Sequence, residues 1–447
     1  MRRYLDRMKM DRHLIGYSSG NFGKNLLLGS VDVTLLFVLT DLLGIAPQRV
    51  SVLMLMVFGA DLMLDLGAGL LAAWAQNRGT GYRRLIVLGA PPCGIAFALI
   101  YSLPLLGVGK LATIAPAIIF FRGAYAIIDV PHNSLLARVA TDSRARGRAS
   151  GYRTVFSSAA SVVIATVLVP FMGADGPSAS AGQLALLGAA GGLLFCCAMF
   201  FAAWSAREEG AGGAAATPRR AARIVFLPRM DRLFGAIAVI ALVTGFAMPV
   251  FGKMMLYIAT YALHQPGLAG RLLLTITLGQ LAGVALWIYL VRSHEKTDLL
   301  AASHAVGIAG LVCFAVAGDR VCLLTASAAL IGVGFAGVFM LPWGILADIT
   351  DFAAFRHRER RETATFATVL VILKAGGVAS LAAIGWILGK LGYVPGVAQA
   401  ESVIEGMKLL AFGVPILGSV IAILTLRRLA LGHQVHARVV RANRRWA

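Results

Sequence analysis

Two aspartates one helical turn apart, Asp61 and Asp65, stand inside an apolar run that extends from 50 to 74. Residues at i and i+4 share a helix face, so a helix here carries both carboxylates on one side. An Asp at the centre of a membrane-spanning helix costs about 2.5 to 3.5 kcal/mol, so the pair demands a proton, a cation or a basic partner. Two acids this close in a low dielectric resist double ionisation, and one holds a proton unless a cation intervenes. The chemistry suggested is passage of an ion or solute. The blander reading is a pair locked to interior Lys and Arg for packing alone.

Other charges interrupt apolar runs: Asp32, Arg122, Asp129, Arg153, Lys253 and Lys374. Arg122, Tyr125 and Asp129 fall at i, i+3 and i+7, which aligns a cation, a phenol and a carboxylate along one stripe. Asn25 and Asp32 are also seven apart. Lys24 sits near the end of its run, where a lysine that snorkels to water is as reasonable as a functional one, and the same holds for Arg153 and Lys253. Lys374 lies about eleven residues into its run and reaches water less easily.

The elements that position these groups follow from composition. The chain of 447 residues is 58% hydrophobic and 14% charged, with a mean hydropathy of +0.79. That is too apolar for an ordinary soluble protein and predicts an all-α, polytopic membrane protein, because only helices and closed barrels satisfy the backbone in lipid. Twelve transmembrane helices are expected, near 18–40, 50–74, 84–105, 111–139, 149–172 and 184–204, then 233–263, 272–291, 299–317, 321–349, 363–391 and 406–426. The stretch 205–232, rich in Ala, Gly, Arg and Pro, reads as a cytoplasmic linker between two six-helix halves, 1–204 and 233–426, with 427–447 as a basic cytoplasmic tail. Pro131 followed by Arg144-Ala-Arg-Gly-Arg148, and Pro342 followed by Arg356-His-Arg-Glu-Arg-Arg361, support duplication and a central midplane site.

A net charge of +20 does not signal nucleic acid, because the basic residues are distributed by topology. Roughly thirty fall in alternate connections and the termini and about six in the intervening ones, which places both termini in the cytoplasm. Cys93, Cys196, Cys197, Cys313 and Cys322 lie in or beside apolar runs without metal-ligand spacing and read as small apolar residues. The N-terminus leads into a long span and not into a cleavable signal peptide. No HExxH, GxSxG or His-Cys set serves an intramembrane enzyme.

Several stretches carry a family resemblance: Gly20-Asn-Phe-Gly-Lys24, Asp61-x-x-x-Asp65, Tyr125-x-Ile127-x-Asp129-x-Pro131-x-x-Ser134-Leu135, Arg153, Ala347-Asp-Ile-x-Asp351 and Lys374-x-Gly376. In order from the first span to the eleventh, they resemble the glycoside-pentoside-hexuronide:cation symporters, the melibiose-permease branch of the major facilitator superfamily. The resemblance implies that fold, with a cation site at Asp61, Asp65 and Asp129 and a sugar site at Tyr125, Asp129, Arg153 and Lys374. Asn25, Asp32, Asn133 and Phe339 are expected beside that sugar site. Asp348 and Asp351 are expected to pair with Arg138, Arg144 or Arg146 as a cytoplasmic gate.

Departures from the family pattern carry information. Leu64 stands where an Asn is expected, Ala126 where a Thr is expected and Asn133 where an aromatic is expected, so two neutral oxygen ligands of a cation are missing. Asn25 replaces the first acid of span 1, with Asp32 as a displaced substrate-binding acid. A hard cation needs several oxygens, which favours H+ over Na+ as coupling ion. The expected protein is a cation-coupled symporter importing a sugar, glycoside or related small organic solute by alternating access. It is a multi-pass protein of the cell membrane, of the inner membrane if bacterial, monomeric and without a cofactor. The alternative within the family is a carrier of lysolipids or other amphiphiles, which Leu341-Pro-Trp343 and Arg360-Arg-Glu362 resemble. A non-transporting sensor or intramembrane enzyme is the remote alternative.

Overall fold

The computed structural model describes residues 2–78, 80–107, 110–139, 143–172, 177–206, 231–357, 362–427 and 439. Most of the expected linker and tail lies outside these residues. Among them there is no strand, and twelve helices are long and apolar enough to cross a membrane. They are α1 (Arg12–Leu42), α2 (Pro47–Ala72), α3 (Tyr82–Ser102), α4 (Leu111–Leu136), α5 (Gly151–Met172) and α6 (Ala181–Ser205), then α7 (Arg232–Ala262), α8 (Leu268–Leu290), α9 (Lys296–Val316), α10 (Val321–Ala353), α11 (Thr368–Lys390) and α12 (Glu401–Leu426). The shortest have 21 residues, which at about 1.5 Å per residue spans the hydrocarbon core of about 30 Å.

Helix α2 shows how its polar groups are aimed. Val52, Leu55, Met56, Met63, Leu66 and Leu70 are exposed, while Val50, Leu53, Met54, Val57, Asp61, Ala68 and Ala72 are buried. The outward stripe is wholly apolar, as a lipid-facing surface requires, and the single charge among these residues is on the inward stripe.

The chain forms two compact units, residues Met1–Thr217 with Val394–Ala398, and Pro218–Tyr393 with Gln399–Ala447. In the first, α3 packs on α6 and α4, α1 on α5 and α6, and α2 on α4. In the second, α9 packs on α12 and α10, α7 on α11 and α12, and α8 on α10. Adding six to each helix number of the first set gives the second, the packing signature of an internal repeat. Small residues set the closest crossings. A Cβ on Gly192 of α6 would lie 2.5 Å from the carbonyl oxygen of Gly94 on α3, and one on Gly245 of α7 would lie 2.5 Å from the carbonyl oxygen of Leu373 on α11.

Single π-turns interrupt four of the spans: Val38–Leu42 in α1, Ile164–Leu168 in α5, Val243–Ala247 and Ile258–Ala262 in α7, and Leu409–Gly413 in α12. Hydropathy gives no sign of them. Two of them contain a threonine, Thr244 and Thr260, whose buried hydroxyl has no hydrogen-bond partner. By contrast Thr40 and Thr166, in two other π-turns, each donate to the carbonyl four residues earlier, as do Thr34, Thr277 and Thr425 outside them.

Candidate functional site

The first unit gathers polar side chains from α1, α4 and α5. On α1, Tyr17, Asn21, Lys24 and Asn25 recur at helical spacing and face the other two helices. Lys24 is buried, with 5% of its surface exposed, so the snorkelling reading is corrected: its stem does not carry the ammonium to water. Lys24 Nζ lies 2.5 Å from Asp129 Oδ1, donates to Asn133 Oδ1 at 3.1 Å and is 3.4 Å from His132 Nδ1. An ammonium only donates, so Nδ1 accepts, and the proton of the neutral ring sits on Nε2. From there it donates to the Tyr17 carbonyl at 3.2 Å. Tyr17 returns the contact, its hydroxyl donating to the His132 carbonyl at 2.8 Å and its ring stacking on the imidazole at 4.6 Å.

Glycines of the Gly20-Asn-Phe-Gly-Lys24 stretch make this contact possible. A Cβ on Gly20 would stand 2.5 Å from His132 Nε2, and one on Gly23 would press on Phe195 of α6 at 3.1 Å. Helix α5 completes the cluster. Arg153 donates from Nε to Asn21 Oδ1 at 2.9 Å and from a terminal nitrogen to Asn133 Oδ1 at 2.7 Å. Asn25 donates to the Ser157 carbonyl at 2.6 Å and to Ser161 Oγ at 2.9 Å.

A second ion pair joins α2 to α4. Arg122 donates from Nε to Asp61 Oδ1 at 2.9 Å and from a terminal nitrogen to Asp61 Oδ2. The two side chains are 17% and 11% exposed. From the stripe it shares with Asp129 on α4, Arg122 reaches across to the neighbouring helix. Leu64 fills the adjacent space, since a Cβ on Gly123 would meet its Cδ2 at 3.1 Å. Asp65 is half-buried one turn further along α2, and Asp32 is exposed on α1. Among the described residues no three His, Cys, Asp or Glu side chains are grouped to hold a metal ion. Of the three acids expected to form one cation site, Asp61 pairs with Arg122 and Asp129 with Lys24.

In the second unit, Lys253 of α7 is 3% exposed and donates to the Gly377 carbonyl at 2.7 Å and to Ser380 Oγ at 3.0 Å, both on α11. It ties two helices together and does not snorkel. Lys374, one turn before Gly377, is exposed in the structure, as is Phe339. A cavity of about 250 Å³ lies between α7, α10 and α11, lined by apolar groups including Phe339, Trp343 and Leu373. The unpartnered hydroxyl of Thr244 is in its wall. Of the acids expected in a gate, Asp348 has both carboxylate oxygens 2.8 Å from Lys296 of α9, and Asp351 is half-buried. The side chains of Arg138, Arg144 and Arg146 lie outside the described residues.

Sequence reasoning missed Tyr17, Asn21, His132, Ser157 and Ser161. His132 had a signal, standing three residues after Asp129 on the same face.

Residues 16–433 match the sequence model of the MFS/sugar transport protein family. The inner membrane symporter YicJ of Escherichia coli (strain K12) is 25% identical over 385 residues, covering 85% of this chain and 82% of its own. The glucuronide carrier protein homolog of the same organism is 24% identical over 412 residues, covering 89% and 87%. Among solved structures, a D-xylose-proton symporter superposes with a TM-score of 0.64 at 12% identity, over 92% of this chain and 96% of that one. The nucleoside transporter NupG gives 0.64 at 11% identity, over 93% and 99%. At such identities these two structures speak to the fold alone.

Proposed function

This chain belongs to the MFS/sugar transport protein family, and from that premise we propose that it is a proton-coupled symporter importing a sugar, glycoside or related hydroxyl-rich solute by alternating access. It is a transporter and not an enzyme. The observation that carries the finer reading is the buried ammonium of Lys24, held between Asp129, Asn133 and His132. A buried ion pair is stable only while its charges stay matched, and removing one charge releases the other. Protonation of Asp129 frees Lys24, Asn133 and Arg153 to donate and accept toward the hydroxyls of a solute. Asp65, one turn from Asp61 on α2, serves as the second proton carrier. Tyr125, Asp32, Asn25, Lys374 and Phe339 remain proposed solute contacts.

The proton gradient supplies the work. One charge moved through about 100 mV yields about 2.3 kcal/mol, close to fiftyfold in accumulation. In this reading both termini are cytoplasmic, the positive-inside bias being its support. The test is uptake into proteoliposomes of glycosides, pentosides and uronides under imposed gradients. Accumulation that follows an inward proton gradient and collapses with a protonophore supports the proposal; uptake indifferent to the gradient overturns it.

A second reading has one observation in its favour. The apolar cavity beside Phe339 and Trp343 suits a hydrocarbon or aromatic moiety, as an amphiphile carrier requires. Competition by lysolipids at concentrations where simple sugars have no effect would select it.

A further inference from the structure

Asp61 already has its cation. Arg122 engages both of its oxygens in the two-pronged geometry that a guanidinium, and not an ammonium, offers to a carboxylate. The guanidinium keeps its charge at every pH the protein meets, so the neutralisation is permanent.

With Arg122 in place the surroundings do not suit a free metal ion. A hard cation takes its coordination from oxygens. Leu64, packed against the Gly123 position, and Ala126, buried one turn after Arg122 on α4, have no side-chain oxygen to add, which leaves Asp65 as the neighbouring oxygen donor on α2. No group of three acidic, His or Cys ligands forms among the described residues. A metal ion entering at Asp61 would also have to evict a mostly buried guanidinium and leave it without its partner, an exchange that is strongly unfavourable.

We propose that Arg122 is a tethered counter-cation that takes the place of an alkali ion at Asp61, so that this chain neither binds nor responds to Na+ or Li+ there. For its consequence on uptake the inference rests on the proposed transport activity; for ion binding it stands apart from it. Arg122 is therefore an ion-selectivity residue, and its removal uncovers a latent alkali-ion site made of Asp61 and Asp65.

The experiment measures thermal unfolding of the purified full chain with NaCl, LiCl or choline chloride at equal ionic strength, which needs no solute. The native chain is expected to unfold at the same temperature in all three. Arg122→Gln is expected to gain a saturable Na+ or Li+ stabilisation of about 2 °C or more at about 100 mM, and Arg122→Gln combined with Asp61→Asn to lose it again. Arg122→Lys, which keeps the charge, stays insensitive. Saturable Na+ stabilisation of the native chain overturns the proposal, as does a folded Arg122→Gln that ignores Na+. If Arg122→Gln fails to fold, rescue of its expression by Asp61→Asn or by added Na+ supports the proposal, and rescue by neither overturns it. Absence of proton-driven uptake in the native chain, with the ion results as expected, would refute the transport reading alone.

Discussion

Lys24 and Arg153 converge on one acceptor, the side-chain oxygen of Asn133, at 3.1 Å and 2.7 Å. Two cations from different helices therefore meet on α4 within one turn of Asp129. The cluster formed by Lys24, Arg153 and Asp129 carries one more positive than negative charge, and Asn133 is the neutral group that both cations share. With its oxygen held by both cations, the Asn133 side chain still has two N–H donors to offer a solute hydroxyl. Asn133→Ala is accordingly expected to weaken solute binding by about tenfold, the scale of one charge-assisted hydrogen bond. A titration of solute-induced thermal stabilisation measures it, and unchanged affinity would remove Asn133 from the site.

Asp129→Asn leaves the Lys24 ammonium buried without a counter-charge. The expected cost is about 3 to 5 kcal/mol of stability together with loss of uptake. Combining Lys24→Met with Asp129→Asn removes both charges, and it should restore most of the stability while leaving uptake absent. Thermal unfolding and initial uptake rates, measured on all three variants, separate a structural pair from a working one.

Asp65→Asn is expected to abolish uphill uptake and keep some exchange of solute across the membrane, because one proton carrier is lost while the solute contacts stay. Counterflow in proteoliposomes reads exchange directly. Normal concentrative uptake in this variant would exclude Asp65 from coupling.

Gly20→Ala forces a methyl group to within 2.5 Å of His132 Nε2. Overpacking of a buried contact costs about 1 to 3 kcal/mol, and here the strain falls on the imidazole that accepts from Lys24. A fall in unfolding temperature with a larger fall in uptake is expected. His132→Ala in the same chain should recover the stability.

Lys296 and Asp348 are 25% and 16% exposed, somewhat more open than the other two pairs, so Asp348→Asn should cost about 1 to 3 kcal/mol, the scale of one charge-assisted hydrogen bond. Its proposed role in gating predicts a different readout. Charge reversal at Asp348 or Asp351 is expected to alter the accessibility of engineered cysteines from the two sides of the membrane. Unaltered accessibility would leave both acids as ordinary interfacial charges.

The architecture was legible in the sequence because hydropathy and span length are local properties. Twelve runs of apolar residues could become twelve helices without reference to one another. The acids of α2 were legible for the same reason, since a spacing of four needs only the helix to be read. Partner choice was not. Arg122 and Asp129 lie seven apart on one helix, separated by about 10 Å of rise, so they share a face without touching. Whether each turns to α2 or to α1 depends on crossings set by Gly20, Gly23 and Gly123, none of which announces its neighbour. Lys24 resembled a snorkelling lysine because distance from a span end was the available guide, and the helix that carries it extends back to Arg2, well before the expected position 18. The π-turns left no trace because they are a response to packing and not to composition.

An ammonium has three hydrogens, and those of Lys24 face Asp129, Asn133 and His132. A solute can therefore accept from Lys24 only by taking the place of a group already there. Recognition of this kind is substitution and not addition: the number of hydrogen bonds at the nitrogen is the same before and after. Two solutes of equal polarity would then differ in how well their oxygens reproduce a geometry that Asp129, Asn133 and His132 already display, and selectivity would be a matter of shape at a single nitrogen atom.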